Sequence, residues 1–465
     1  MKRRDFIKNI ALGSVAAAAV VTGCKREEKP HDIGGTALGE VPTDKMVYRE
    51  STTGDRVSLL GFGAMRLPTE YGLEAGRSND PISQRRVNEL VDYAMAHGVN
   101  YYDTAPVYCK GKSEAAWGEA LSRHDRKKYF LATKLSNFAP ETWSREKSLE
   151  IYHNSFKNLK TDYIDYMLLH SVGGSNAEFS SMELLNKRYF ENGMLDFLID
   201  ERKAGRIRNL GFSFHGDIKV FDYMLSMHDT VHWDFVQIQM NYVDWKHANR
   251  ENDDAPNADE LYEKLDRLGI PIVIMEPLLG GQLASMSENI NTLLQQRNPE
   301  QSIASWAFRF VGSFPRILTV LSGMTYMEHL QDNIRTYSPL VPCTDEENQL
   351  LEKVARLFIE HPTIPCTQCK YCMPCPYGLD IPTIFTHYNK MVNTGNVVTS
   401  SGDENYAEAR RAFLVGYDRK VPGMRQADHC IGCNECTKHC PQEIDIPAKM
   451  RKIDEYVESL KQNVL

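Results

Sequence analysis

From about residue 46 to residue 340, short apolar runs alternate with stretches in which apolar residues return every three or four positions. The runs are Leu60–Met65, Tyr101–Thr104, Tyr129–Thr133, Ile164–Leu169, Leu210–Phe214, Phe235–Met240, Ile270–Met275 and Ile317–Leu321. Most are nearly continuous in apolar residues, the pattern of parallel strands buried on both faces. Between them lie amphipathic helices: Val87, Leu90, Val91 and Ala94 share one face, as do Leu149, Tyr152, Phe156 and Leu159. Eight such strands with intervening helices predict an α/β fold of the (β/α)₈ TIM-barrel type. A doubly wound open sheet is the alternative, but no glycine-rich fingerprint follows the first strand.

The segments outside the barrel have different patterns. Residues 1–23 pair a basic start, Lys2-Arg3-Arg4-Asp5-Phe6-Ile7-Lys8, with an alanine-rich apolar run from Ile10 to Val21. That run is too short to span a bilayer and has the form of a signal peptide. Its paired arginines resemble the twin-arginine export signal, and Val21-Thr22-Gly23-Cys24 resembles a lipoprotein cleavage site with Cys24 as the lipidated residue. An uncleaved amphipathic tail is the other reading. Residues 24–45 are polar, with Pro and Gly, and read as a linker. The expected location is therefore the periplasmic side, anchored to a membrane through Cys24. Residues 341–465 form a second, mostly α-helical segment, with Tyr406–Val415 reading as helix.

The 465 residues exceed one ordinary core, and 42% apolar with 25% charged residues is a globular composition. A net charge of −8, with no basic stripe, gives no reason to expect nucleic acid as a partner. The 11 cysteines change the picture more. Only Cys24, Cys109 and Cys343 lie outside the interval from Cys366 to Cys440, and clustering of this kind points to metal rather than to a disulfide framework.

Active sites of such barrels lie at the C-terminal ends of the strands. There the sequence places Asp103, Lys134 and His170, with Tyr108 shortly after Asp103. Carbonyl reduction needs a proton donor beside the developing alkoxide, and a tyrosine serves if its pKa is lowered. A buried Lys134 ammonium is expected to stabilise the Tyr108 phenolate, Asp103 to hold the lysine charged, and His170 to orient the carbonyl oxygen. The alternative is a buried ion pair plus a core histidine. Tyr102-Asp103-Thr104-Ala105-Pro106-Val107-Tyr108 with Ser113-Glu114, Ala132-Thr133-Lys134 and Leu168-Leu169-His170 resemble the signature and tetrad of the aldo/keto reductases.

That resemblance implies NAD(P) binding. Ser213 and Gln237 stand where the family contacts the carboxamide, and Ser322, Gly323, Gln331 and Asn333 where it holds the adenosine phosphate end. Two departures stand out. Met275 replaces the usual ring-stacking aromatic, followed by an unusual Glu276, and neither Met324 nor Thr325 supplies a cation for a 2′-phosphate. His215 and Trp245 follow strands five and six and are either pocket or packing residues. Cys109 reads as a pocket wall.

The remaining cysteines form a repeat. Cys366-x-x-Cys369-x-x-Cys372-x-x-Cys375-Pro376 is matched by Cys430-x-x-Cys433-x-x-Cys436-x-x-x-Cys440-Pro441, each followed by a similar Asp-Ile-Pro tail. Triplets of this spacing wrap one face of a cubane while the fourth thiolate bends away to the partner cluster. Two [4Fe–4S] clusters follow, one on Cys366, Cys369, Cys372 and Cys440, the other on Cys430, Cys433, Cys436 and Cys375. Paired zinc sites or disulfides are the alternatives.

A hydride carries two electrons and a cluster one, so coupling requires a converter, typically a flavin. No flavin motif is evident, and a flavin is not excluded. The expectation is an oxidoreductase that interconverts a carbonyl and an alcohol, with a small-molecule substrate and a membrane or redox-protein electron partner. The alternative is an electron-transfer or redox-sensing module on a non-catalytic barrel.

Overall fold

The computed structural model describes residues 40–465 except 73–79, 177, 251–254 and 362. The expected signal peptide and Cys24 lie outside the described residues. A hairpin of β1 (Tyr48–Glu50) and β2 (Arg56–Ser58) precedes the barrel. The barrel strands are β3 (Leu60–Gly63), β4 (Tyr101–Asp103), β5 (Phe130–Leu135), β6 (Ile164–Val172), β7 (Ile207–Phe214), β8 (Phe235–Gln239), β9 (Ile272–Met275) and β10 (Ile317–Ser322). All pair in parallel, in sequence order, and β10 closes on β3. Each of the eight apolar runs is a strand, as a sheet buried on both faces requires.

The interior of the barrel is filled, not hollow: Tyr101, Ala132, Tyr166, Leu168, Phe235, Val273 and Leu318 form one buried cluster. Val57 of the hairpin joins it, so β1 and β2 plug the end where the strands begin. The outer face of the sheet packs on the surrounding helices, with Trp117, Trp233 and Trp306 all fully buried.

The C-terminal segment divides differently from the expected break at residue 340. Helix Asp345–Glu360, opened by a Thr344/Glu347 capping box, sends Leu351, Val354, Ala355 and Phe358 into the barrel's core. Helices Ile381–Asn393, Tyr406–Lys420 and Ile446–Gln462 build a second core from Ile384, Phe385, Phe413, Tyr417 and Ile453. The repeated Asp-Ile-Pro tails are the starts of the first and third of these helices, with Asp at the N-cap and Pro in the first turn.

One buried ion pair fastens the Asp345–Glu360 helix to the barrel. Arg309 donates to Glu347 at 2.6 and 3.2 Å, and to the Val341 carbonyl at 2.9 Å. Replacing Glu347 with Ala leaves a buried guanidinium without its counter-charge and is expected to cost about 3–5 kcal/mol. Urea denaturation checks this, and the double variant Arg309→Met, Glu347→Leu should recover most of the loss.

Candidate active site and cysteine cradle

Asp103 ends β4 and Lys134 lies one residue before the end of β5, so neighbouring strands present the two side chains at the same mouth of the barrel. The Lys134 ammonium donates to both Asp103 oxygens, at 2.6 and 2.8 Å, and to the Thr104 carbonyl at 2.8 Å. The residues are 1% and 2% exposed. Burial alone would push the lysine down and the carboxyl up, and each partner holds the other charged against it.

Tyr108 follows β4 on a tight loop in which Cys109 and Lys110 take left-handed backbone angles, φ 50° and 58°. The loop tips the phenol ring over Lys134, whose Nζ lies 4.9 Å from the ring centroid. His170, in β6, meets the same ring edge to face with centroids 5.9 Å apart. Asp103, Tyr108, Lys134 and His170 therefore converge. Cys109 sits behind them as a wall, its thiol 3.3 Å from the Ala64 carbonyl.

The electrostatics differ from expectation in one respect. Burial pushes the Tyr108 phenol well above its ordinary value, and Tyr371, Asp103 and Glu276 push it further. Lys134 stands over the ring and is already matched by Asp103. Tyr108 is thus held as the neutral phenol. His170 is likewise neutral, held well below its ordinary value by burial and by Lys134, Arg188 and His215. Its Nδ1 lies 2.6 Å from the Ser136 hydroxyl. Where that hydroxyl donates, the single ring proton sits on Nε2. The buried Arg188 donates to the His170 and Ser171 carbonyls at 2.5 and 3.0 Å, fixing that strand end.

The residues implied for the nucleotide occupy the ends of β7, β8 and β10. Gln237 is buried, and its Oε1 has no hydrogen-bond partner among the described residues. A buried acceptor of this kind fits the amide N–H of a nicotinamide carboxamide. The Ser213 hydroxyl accepts from the Ser171 N–H at 2.8 Å, which leaves its own proton to donate. Ser322 accepts from Asn333 at 3.0 Å, and Gln331 is half-buried nearby on the same helix as Asn333. Gly323 lies against Arg66, whose side chain would be 3.0–3.2 Å from a Cβ there. Arg66 is thus a cation beside the site that Met324 and Thr325 leave uncharged, carried in from the far end of the sequence by the closure of β10 on β3. Trp245 packs against Phe314, with centroids 4.6 Å apart, whereas His215 lines the cavity.

The cysteines fall into two runs. Cys366, Cys369, Cys440 and Cys436 all act electrostatically on Cys372, and Cys375 and Cys430 act on Cys436. Cys433 is the exposed member of the second run. No three metal-binding side chains among the described residues converge on the position of a single ion. A cubane does not need that convergence, because its thiolates bind separate irons. The donor set, eight thiols in two duplicated runs, fits iron–sulfur binding.

This cradle roofs the barrel mouth. Arg66 donates to the Thr367 carbonyl at 2.6 Å, Gln282 to the Cys366 carbonyl at 3.3 Å, and Gln442 to Gln239 at 2.9 Å. Tyr371, between two cysteines, packs on Phe138 with centroids 6.1 Å apart and acts electrostatically on Tyr108. Between roof and mouth lies a cavity of about 1380 Å³ that Tyr108, Phe138, His215, Cys369 and Tyr371 help to line. Sequence reasoning missed Tyr371, Arg66, Ser136 and Arg188. Only Ser136, two residues after Lys134 at the same strand end, carried a local signal.

An oxidoreductase is the class that this fold and site define. The model of the aldo/keto reductase family matches residues 59–356, and that of a 4Fe-4S dicluster domain residues 365–445. The chain belongs to the aldo/keto reductase family. L-galactose dehydrogenase of Arabidopsis thaliana is 23% identical over 324 residues, 66% of this chain and 92% of its own length. A Glycine max protein described as probable aldo-keto reductase 1 is 33% identical over 164 residues, which is 34% of this chain and only 45% of the soybean protein. Among solved structures, the holo form of aldo-keto reductase AKR11C1 from Bacillus halodurans superposes with a TM-score of 0.50 at 23% identity, covering 66% of this chain and 96% of that one. The thermostable aldo-keto reductase Tm1743, solved with the inhibitor epalrestat, gives 0.51 at 24% identity, covering 66% and 100%.

Besides His170, two further neutral histidines give stability a pH dependence. Burial holds both His215 and His387 down to about 4. The unfolded chain protonates them near 6.5, so below that pH it binds more protons than the folded one. Their stabilising effect is complete above about pH 6.5 and is lost progressively toward pH 4. Denaturation midpoints between pH 7 and 5 should fall, and less steeply in His215→Gln.

Proposed function

We propose that the protein interconverts a carbonyl and an alcohol, a sugar among the candidates, with NAD(P) at the barrel mouth and electron transfer through two [4Fe–4S] clusters. The observation that carries this reading is the convergence of Tyr108, Lys134, Asp103 and His170 beneath a cysteine-lined roof.

In this reading Tyr108, held protonated, donates its hydroxyl proton to the carbonyl oxygen. His170 orients that oxygen from the side, and the Lys134–Asp103 pair provides the positive charge below the ring. Gln237 and Ser213 hold the carboxamide, and Ser322, Gly323, Gln331, Asn333 and Arg66 the phosphate end. When bound, the nicotinamide supplies the hydride. The roof excludes water from the reacting centre. Residues 1–24 support export in folded form with a lipid anchor at Cys24, which would bring the clusters near a membrane-bound electron partner.

Tyr108→Phe is expected to lower carbonyl reduction or alcohol oxidation by about 10²–10⁴-fold. The test is turnover on a panel of sugars and aldehydes, with NAD(P)(H) or a one-electron dye. Unchanged turnover would favour a barrel that binds without catalysing. Anaerobically purified protein should also contain about eight iron and eight acid-labile sulfide per chain. Zinc in their place would remove the clusters from the proposal.

A further inference from the structure

The two cysteine groups stand differently toward the barrel. In the first, the Cys366 carbonyl accepts from Gln282 of the barrel at 3.3 Å. Cys369 feels the charge of Glu276, the residue directly after β9. Tyr371, between Cys369 and Cys372, reaches Phe138 and Tyr108. Glu276 takes a left-handed backbone angle, φ 54°, and its carboxylate accepts from the N–H of Gly280, the residue packed against Thr367 of the roof. In the second group, Cys433 is exposed and Ile431 is 62% exposed, and Asn434 is an exposed residue at the rim of the cavity that Cys375 also lines.

We infer that the cluster held by Cys366, Cys369, Cys372 and Cys440 is the barrel-facing electron port, with Tyr371 as the positioning residue that joins it to Tyr108, while the cluster held by Cys375, Cys430, Cys433 and Cys436 faces outward to the external electron partner. This rests on the reading that both groups hold clusters. Each cluster exchanges one electron between its oxidised and reduced forms, so electrons cross the roof singly, and their exchange with a hydride requires a two-to-one electron converter of the flavin class. A neighbouring carboxylate disfavours the extra negative charge of a reduced cluster, and its removal raises the potential.

The test is an EPR-monitored redox titration of the holoprotein at pH 8, poised with dithionite and ferricyanide. Glu276→Gln takes a negative charge from the barrel side, and Asn434→Asp adds one on the exposed loop, at a position whose left-handed backbone, φ 61°, aspartate tolerates. The expected result is that Glu276→Gln raises the midpoint of one cluster and Asn434→Asp lowers that of the other. If both variants move the same cluster, or if Glu276→Gln moves both or neither, the assignment is overturned. For Tyr371, Tyr108→Phe should alter the signal of the cluster that Glu276→Gln moves, and should not do so in a Tyr371→Phe background. Equal effects in both backgrounds would remove Tyr371 from that role. Iron and sulfide content separates the two ideas: without clusters the proposed function falls first, whereas clusters that ignore the barrel overturn only the assignment.

Discussion

A lysine and an aspartate with almost no solvent exposure have to be kept charged next to one another, and much of the site follows from this requirement. Either residue alone would be neutral at such a depth. The pair survives because parallel strands β4 and β5 place Asp103 and Lys134 side by side, and because Thr104 offers a further carbonyl to the ammonium. A closed barrel with a packed interior holds that spacing. Burial keeps His170 neutral, with the Lys134 charge adding to it, and the Tyr108 ring lies over that lysine.

The second constraint is the roof. Its approach is close enough that a Cβ at Gly280 would lie 2.3 Å from the Thr367 Cα, and Gly280 also has φ 68°. Glycine is required there on both counts. Pinned by Gly280, Arg66 and Gln282, the cysteine segment delivers Tyr371 to Tyr108. The resulting phenol is a weaker acid than an isolated barrel with the same four residues would give, because a second tyrosine and Glu276 both oppose its ionisation.

The strands were legible in the sequence because burial on both faces leaves continuous apolar runs, and Asp103, Lys134 and His170 because they stand at the ends of those runs. The iron–sulfur character of the C-terminal segment was legible in the spacing of its cysteines. What stayed hidden depends on docking between distant segments. Nothing around Tyr371 marks it as a neighbour of Tyr108, and nothing around Arg66 points to Gly323. The expected lowering of Tyr108 failed for the same reason: it considered Lys134 without the residues that the roof and the β9 end bring to the phenol. The break at residue 340 was misjudged because the Asp345–Glu360 helix is amphipathic in either context, and only the Arg309–Glu347 pair reveals which core it joins.

The exchange of a cysteine between the two runs has a mechanical consequence. In the proposed pairing Cys440, from the later run, would complete the group nearest the barrel, and Cys375, from the earlier run, would join the outward one. The segment is thereby laced like a buckle: peeling the chain back from its C-terminus would open the inner cradle before the outer one. Damage to the last helix, far from the barrel in sequence, would accordingly be felt first at the barrel mouth.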